Sequence, residues 1–359
     1  MKSLINNPTN NKTTFNQYLI KECRDSVSGA SLANLLINIA ECTKKIAALT
    51  SKGKLERSVE NVGATNVQGE IQINLDVLSN ELFVSSLKQS GLVSGLVSEE
   101  LDDACQIDAV GNGNKFLVVF DPLDGSSNVD VNVSVGSIFS IYKDNLGSLD
   151  FLQLGNAQIA AGYALYGPST MLVITIGNGV QGFTLDTETQ EFVLTHSNIR
   201  IPETTSDFSI NASNERHWEA PVQRYIDSCK AGVTGVRGRD FNMRWVASMV
   251  ADVHRILMRG GVYLYPYDNK QPTKAGRLRL LYEANPMSFI VEQAGGKSST
   301  GRKRILDIQP DEIHQRVPVI MGSRLEVSLI ELYHSEFDST QPKEKDSIAP
   351  KQSEFTKSS

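Results

Sequence analysis

Cysteine is scarce in this chain and lies scattered. Cys23, Cys42, Cys105 and Cys229 show no C-x-x-C spacing, which excludes a zinc ribbon or a small disulfide framework and points to reduced thiols. The stretch MKSLINNPTNNKTTFNQYL has no basic region followed by an apolar core, and no later apolar run approaches the ~20 residues of a membrane span. A soluble, cytoplasmic protein is therefore expected. Positive charge is also short: 35 Lys and Arg stand against 41 Asp and Glu, a formal net charge of −6 that argues against a nucleic-acid scaffold. The basic run GRKR at Gly301 to Arg304 lacks interleaved aromatics and reads as a solvated turn. No internal repeat is visible.

What is present is an ordinary globular composition, 40% hydrophobic and 21% charged, over 359 residues, enough for two domains of roughly 150 residues each. Leu32, Leu35, Leu36 and Ile39 recur at helical spacing and predict an amphipathic helix from about Ser31 to Leu49. Gly53, Gly63 and Gly69 mark Ser51 to Glu70 as a long mobile loop of the kind that closes over active sites. Leu75 to Leu87 resumes helical character. Gly91 to Val97, Lys115 to Phe120, Val133 to Tyr142, Ala160 to Leu165 and Met171 to Gly177 predict strands of a sheet-rich first domain, residues 1–198.

A second α/β domain, residues 199–333, opens at FSINASN (Phe208 to Asn214). There Val246, Met249, Val250, Val253, Ile256 and Leu257 share one helical face, and Gly260 and Gly261 stop the helix. GVYLYP reads as a strand, and LRLLYEANPMSFIVEQAGG as a strand leading into another helix. Residues 334–359 are polar and Pro-containing and predict a disordered tail.

The chemistry concentrates in VVFDPLDGSSN, Val118 to Asn128, preceded by LVSEE ending at Glu99 and Glu100. A β-branched run ends at Asp121, so its carboxylate is expected to leave the strand where the chain turns through Pro122, Leu123, Asp124 and Gly125. The N–H groups of Gly125, Ser126 and Ser127 then offer a concave nest for phosphate oxygens beside bound cations. Phosphate monoester hydrolysis is among the slowest uncatalysed reactions, and a magnesium-type cation with hard oxygen ligands answers both its charge and its need for an activated water. Glu99, Glu100, Asp121, Asp124 and Glu283 supply such oxygens. Taken singly, SEE is an ordinary solvated pair and DPLDG an ordinary β-turn; each following an apolar strand, they make a site.

The chain resembles class I fructose-1,6-bisphosphatases, within the magnesium-dependent, lithium-sensitive phosphatases that include inositol monophosphatases. LDVLSN at Leu75, LVSEE, FDPLDGSSN, SVGSIFSIY, SMVADVHR at Ser248, LYP at Leu264, GRLRLLYEANPM at Gly276 and DEIHQR at Asp311 match in order across about Phe15 to Leu332. The resemblance implies a layered α-β-α-β-α sandwich of two subdomains that hydrolyses fructose 1,6-bisphosphate to fructose 6-phosphate and phosphate, in gluconeogenesis. It implies two or more Mg2+ per subunit, replaceable by Mn2+ or Zn2+, held by Glu99, Glu100, Asp121, Asp124, Glu283 and the Leu123 carbonyl. Asp124, Gly125, Ser126 and Ser127 would hold the scissile phosphate. Asp76 and Glu100 would take the proton of the attacking water, with Glu70 at an acidic position, usually Asp, in the mobile loop. Asn211, Arg244, Tyr265, Arg277 and Arg279 would bind the sugar and its distal phosphate, with Met249 against the sugar. Arg244 would reach a neighbouring subunit of a homotetramer.

Several positions depart from the family pattern. Trp245 and Asn214 stand where Tyr is usual, and Arg277 where Lys is usual. At the family's AMP site Gly29, Ala30 and Ser31 replace Thr-Gly-Glu, Phe116 follows Lys115 in place of Tyr, and Lys143 replaces Arg, which implies weak or absent AMP inhibition. Sedoheptulose 1,7-bisphosphate presents the same reacting end and is the nearest alternative substrate; an inositol-phosphate phosphatase and a catalytically silent metabolite-binding protein are the further alternatives. His254, in an apolar-periodic helix, and His314, in DEIHQR, read as structural histidines.

Overall fold

The computed structural model describes residues 12–24, 28–53, 61–65, 71–107, 115–144 and 149–340. Helices α1 (Phe15–Glu22) and α2 (Gly29–Lys52) come first, followed by a small hairpin of β1 (Asn61–Thr65) and β2 (Ile71–Ile73), helix α3 (Asn74–Gln89) and strands β3 (Val93–Ser98), β4 (Cys105–Gln106) and β5 (Phe116–Asp124). Next come β6 (Val135–Lys143), β7 (Ala160–Tyr166), β8 (Thr170–Thr175), β9 (Gln181–Asp186) and β10 (Glu191–His196). The rest is β11 (Asp207–Ile210), α4 (Ala220–Lys230), β12 (Asn242–Met243), α5 (Met249–Arg259), β13 (Val262–Tyr265), β14 (Leu278–Arg279), α6 (Asn285–Gln293), β15 (Lys297–Ser299), β16 (Arg316–Val317), β17 (Val319–Gly322) and α7 (Arg324–Thr340).

Two sheets carry the architecture. The larger has eight strands in the order β10-β9-β8-β7-β6-β5-β3-β4, and the smaller has five in the order β12-β11-β13-β17-β15. Alternation along each strand supplies two faces, because successive side chains point to opposite sides. In β7, Ala160, Ala164 and Tyr166 join a core with α1, α2 and α3, while Ala161, Tyr163 and Leu165 join a second core with α5 and α6. In β13, Tyr263 meets that same second core, while Val262 and Leu264 pack with α4 and α7. The layers are therefore α-β-α-β-α, as expected.

Differences from the sequence reading are local. The segment expected as one long loop from Ser51 to Glu70 includes β1, which pairs antiparallel with β2; residues 54–60 and 66–70, with Glu70, lie outside those described. Helix α5 starts at Met249, so Val246 sits in the preceding turn. The tail expected from His334 begins no earlier than the end of α7 at Thr340: Tyr333 and His334 are buried, and the His334 ring meets the Ile330 carbonyl at 2.8 Å. Polarity there reflects one exposed helical face, not a lack of structure. Among the described residues, no helix is long and apolar enough to cross a membrane.

Candidate active site

Strands β3 and β5, next to the β4 edge, run parallel in an otherwise antiparallel sheet, so both release their C-terminal residues on the same side. Glu99 and Glu100 follow β3 there, and the Glu99 N–H donates to the Phe120 carbonyl at 3.2 Å. Ser98 fixes the next step: its hydroxyl donates to Asn80 on α3 at 2.7 Å and accepts from the Glu100 N–H at 3.2 Å. Glu99 is buried and Glu100 half-buried.

Strand β5 does not end at Asp121, as its sequence suggested, but runs on to Asp124 through an irregularity in its pairing with β6 between those two residues. Pro122 has no N–H to give a ladder, and a bulge is where a strand tolerates it. The Asp121 carboxylate accepts from the Leu123 N–H at 2.9 Å, and the Pro122 carbonyl accepts from Ser137 at 2.7 Å. The bulge changes the spacing of the two aspartates. Asp121, Asp124 and Glu283 each bring a carboxylate oxygen within 4.8 Å of the others, all three buried.

Gly125 follows with φ of 76°, a left-handed conformation, and a Cβ there would lie 2.6 Å from that of Ser248. A short 3-10 turn, Ser126–Asn128, completes the segment. Glu283 arrives from a π-helical turn, Leu280–Ala284, that leads directly into α6. That irregularity beside a cluster of acids is typical of functional sites.

Burial foremost, then the charges of Glu99, Asp124 and Glu283, pushes the Asp121 carboxyl well above the usual carboxylate range, with Arg279 opposing. Arg279 is 5% exposed; its Nη2 lies 2.7 Å from Glu99 Oε1, its Nη1 3.7 Å from Glu283 Oε2, and its backbone N–H donates to Glu283 at 2.6 Å. Expected among the sugar-binding residues, it lies instead on the carboxylates. One guanidinium does not balance Glu99, Asp121, Asp124 and Glu283. The surplus negative charge on hard oxygen donors, with no thiolate or imidazole among them, fits a divalent cation of the magnesium type.

Asp124 is held by the second half of the chain. Its Oδ2 accepts from the Ser248 hydroxyl at 2.9 Å and the Val250 N–H at 2.8 Å, at the start of α5. One turn on, Asp252 accepts from the Val246 and Ala247 N–H groups at 3.1 and 3.2 Å and from the Ser209 hydroxyl at 2.6 Å. Burial raises its carboxyl to about 6 against these hydrogen bonds, with Asp124 adding. Ala247 is bent to φ of 66°, and Asn128 reaches the Val246 carbonyl at 3.2 Å. The turn 244–248 is thus tied at one end to the acidic cluster and at the other to Arg244. In the sequence Ser248 and Asp252 stand out only as letters of SMVADVHR; their i, i+4 spacing at a helix start is the available signal.

The remaining expected residues divide. Asp76 is buried in the first turn of α3. Tyr265 lies beside Trp245, ring centroids 5.8 Å apart, and Trp245 stacks on Tyr263 at 6.1 Å, so the unusual Trp extends an aromatic wall. Asn211 caps its own turn by accepting from the Ser213 N–H at 3.1 Å. Arg277 pairs with buried Asp268 at 3.1 Å. Arg244 is exposed at the end of β12. Met249, expected at the sugar, is buried in the core between the sheets, because the apolar face of α5 turns inward. His254 and His314 each meet a tyrosine hydroxyl, Tyr163 at 2.8 Å and Tyr282 at 2.9 Å.

The model of the fructose-1-6-bisphosphatase N-terminal domain matches residues 13–197, and that of the C-terminal domain matches residues 201–335. The solved structure of Leishmania major fructose-1,6-bisphosphatase in holo form is 38% identical, with a TM-score of 0.84, covering 90% of this chain and 99% of that one. Its apo form matches over the same shares at 38% identity with a TM-score of 0.80. With both domain models matched in order, and the acidic cluster formed at the sheet edge between them, the chain belongs to the fructose-1,6-bisphosphatase family, phosphatases that depend on divalent metal and hydrolyse fructose 1,6-bisphosphate.

Proposed function

We propose that this chain hydrolyses the 1-phosphate of fructose 1,6-bisphosphate in gluconeogenesis with Mg2+ held by Glu99, Glu100, Asp121, Asp124, Glu283 and the Leu123 carbonyl. The observation that carries the reading is the buried trio Asp121, Asp124 and Glu283, set against the Gly125 to Ser127 turn. When bound, the cations supply charge neutralisation for the phosphoryl oxygens and lower the pKa of a bound water. The backbone N–H groups of Gly125, Ser126 and Ser127 orient the reacting phosphate. Glu100, half-buried and fixed through Ser98, and Asp76 accept the proton of the attacking water. The attack is direct, by the activated water, since no sequence motif presents a nucleophilic Cys or His with an adjacent base.

Asn211, Tyr265, Arg277 and, from a neighbouring subunit, Arg244 hold the distal phosphate, which fixes the reacting one in place. Exposure of Arg244 at the end of a two-residue edge strand supports a role between subunits of a homotetramer. A cytoplasmic location accords with the four free thiols. Phe116 is buried in the core, offering no hydroxyl to a nucleotide, which supports weak AMP inhibition. The test is phosphate release from fructose 1,6-bisphosphate, sedoheptulose 1,7-bisphosphate and inositol monophosphate, with and without Mg2+ and Li+. Fructose 1,6-bisphosphate should be preferred, with activity lost without Mg2+ and inhibited by Li+; preference for the inositol ester would reject the reading.

A further inference from the structure

The last two turns of α5, away from the end that holds Asp124, form one wall of an open pocket of about 600 Å³. Arg255 and Arg259 line it from α5, Arg239 from the segment before β12, and Thr204, Thr205 and Ser206 from the approach to β11, with Asp207 beside them. None of these belongs to the acidic cluster or to the residues assigned to sugar and phosphate.

The charges in this pocket do not cancel. Asp207 accepts from Arg255 Nη2 at 2.8 Å, while the Arg255 Nε is buried with no acceptor. Glu326 meets Arg239 at 2.7 Å but is shared with Arg237, also at 2.7 Å. Glu203, next to Thr204, is paired with Arg324. Arg259 has no ion-pair or hydrogen-bond partner among the described residues. Three guanidinium groups thus line the pocket beside one carboxylate, Asp207, a local surplus of positive charge in a chain whose formal net charge is −6. A cation in the last turn of a helix has some use against the helix dipole, which accounts for Arg259 alone. It leaves unexplained why Arg239 and three hydroxyl side chains converge on the same space.

We propose that this pocket is a second anion site, separate from the catalytic cleft, which takes a small metabolite through a phosphate group. Planar guanidinium forks and hydroxyl donors are the groups that recognise phosphate oxygens. Position gives the site a consequence. Strand β12 has two residues and is held on β11 by the Asn242 N–H to Ser206 carbonyl bond and the Arg244 N–H to Phe208 carbonyl bond, each 2.8 Å. A phosphate bridging Arg239, Ser206 and α5 therefore ties down the segment that carries Arg244.

Crystals of the full chain soaked in sodium selenate, a tetrahedral dianion with an anomalous signal, provide the test, paired with calorimetric titrations of glycerol 3-phosphate and inorganic phosphate. A selenate peak is expected between the Arg255 and Arg259 guanidiniums, absent in Arg259→Gln crystals that retain any peak in the catalytic cleft. In solution the wild type should bind one more glycerol 3-phosphate per chain than Arg259→Gln, or bind it at least tenfold more tightly at that site, with Arg239→Gln behaving alike. Equal affinity for inorganic phosphate would identify the free ion as the ligand and still support the site. Selenate confined to the catalytic cleft, titrations unchanged by both substitutions, or a pocket filled by side chains of a second copy would overturn the proposal.

Discussion

Ser248 stands at the start of α5 yet gives its hydroxyl to Asp124, 124 residues earlier, at 2.9 Å, and makes no capping bond to its own helix. A serine in that position ordinarily satisfies an N–H of its own first turn. Here one helix start orients a carboxylate of the acidic cluster, and the turn before it carries Arg244.

Removing that hydroxyl should therefore show in metal affinity. Ser248→Ala keeps the Val250 N–H bond to Asp124, so the fold should persist while affinity for Mg2+ falls roughly 10-fold or more, the usual scale for partners that orient metal-binding carboxylates. Calorimetric titration with Mg2+ checks this, and an unchanged binding constant would remove Ser248 from the role.

Arg279 is the counter-charge of the metal-free cluster. Arg279→Met should remove the guanidinium from buried Glu99 and Glu283, at a cost of about 3–5 kcal/mol without divalent ions. Mg2+ should recover much of that loss. Melting curves of both proteins in EDTA and in Mg2+ would show a wider gap for the variant; equal gaps would mean the guanidinium does not balance these carboxylates.

Glu100 is half-buried and held through its backbone by Ser98, so Glu100→Gln changes charge with little change of shape. Turnover should fall by roughly 10²-fold or more, the range for loss of a general base, with the melting temperature nearly unchanged. Near-normal kcat would exclude Glu100 as proton acceptor.

His254 predicts an acid-side loss of stability. Burial, with His196 adding, lowers its pKa from 6.5 to about 4, and its Nδ1 meets the Tyr163 hydroxyl at 2.8 Å. The folded state therefore favours the neutral ring. This contribution is complete above the unfolded value near 6.5 and is lost as pH falls through that value toward about 4, in total of order 3 kcal/mol. NMR titration of the ring should show no protonation near pH 6; a midpoint close to 6.5 would contradict it.

Much of the fold is legible in the sequence. The i, i+3, i+4 pattern at Leu32 to Ile39 and the Gly-Gly stop at Gly260 located α2 and the end of α5, because helical burial and backbone freedom act within a few residues. Motif order identified the acids. Less legible were the bulge that carries β5 through Pro122, the hairpin at Asn61, and the continuation of α7 past His334. Each depends on a pairing or packing partner far along the chain. Arg279 was readable as a cation for a phosphate, but which anion it meets depends on where β14 is laid down.

The amino-acid order alone determined which groups are available: acids with hard oxygens, a glycine able to turn beside them, and apolar periods suited to layered sheets and helices. Only tertiary structure decided that Asp121, Asp124 and Glu283 crowd within 4.8 Å while Glu100 stays half-exposed, that Met249 faces the core, and that three arginines surround one pocket. Periodicity and turn chemistry are short-range effects, whereas the field at a carboxylate is a sum over every charge and every desolvating neighbour that folding brings near.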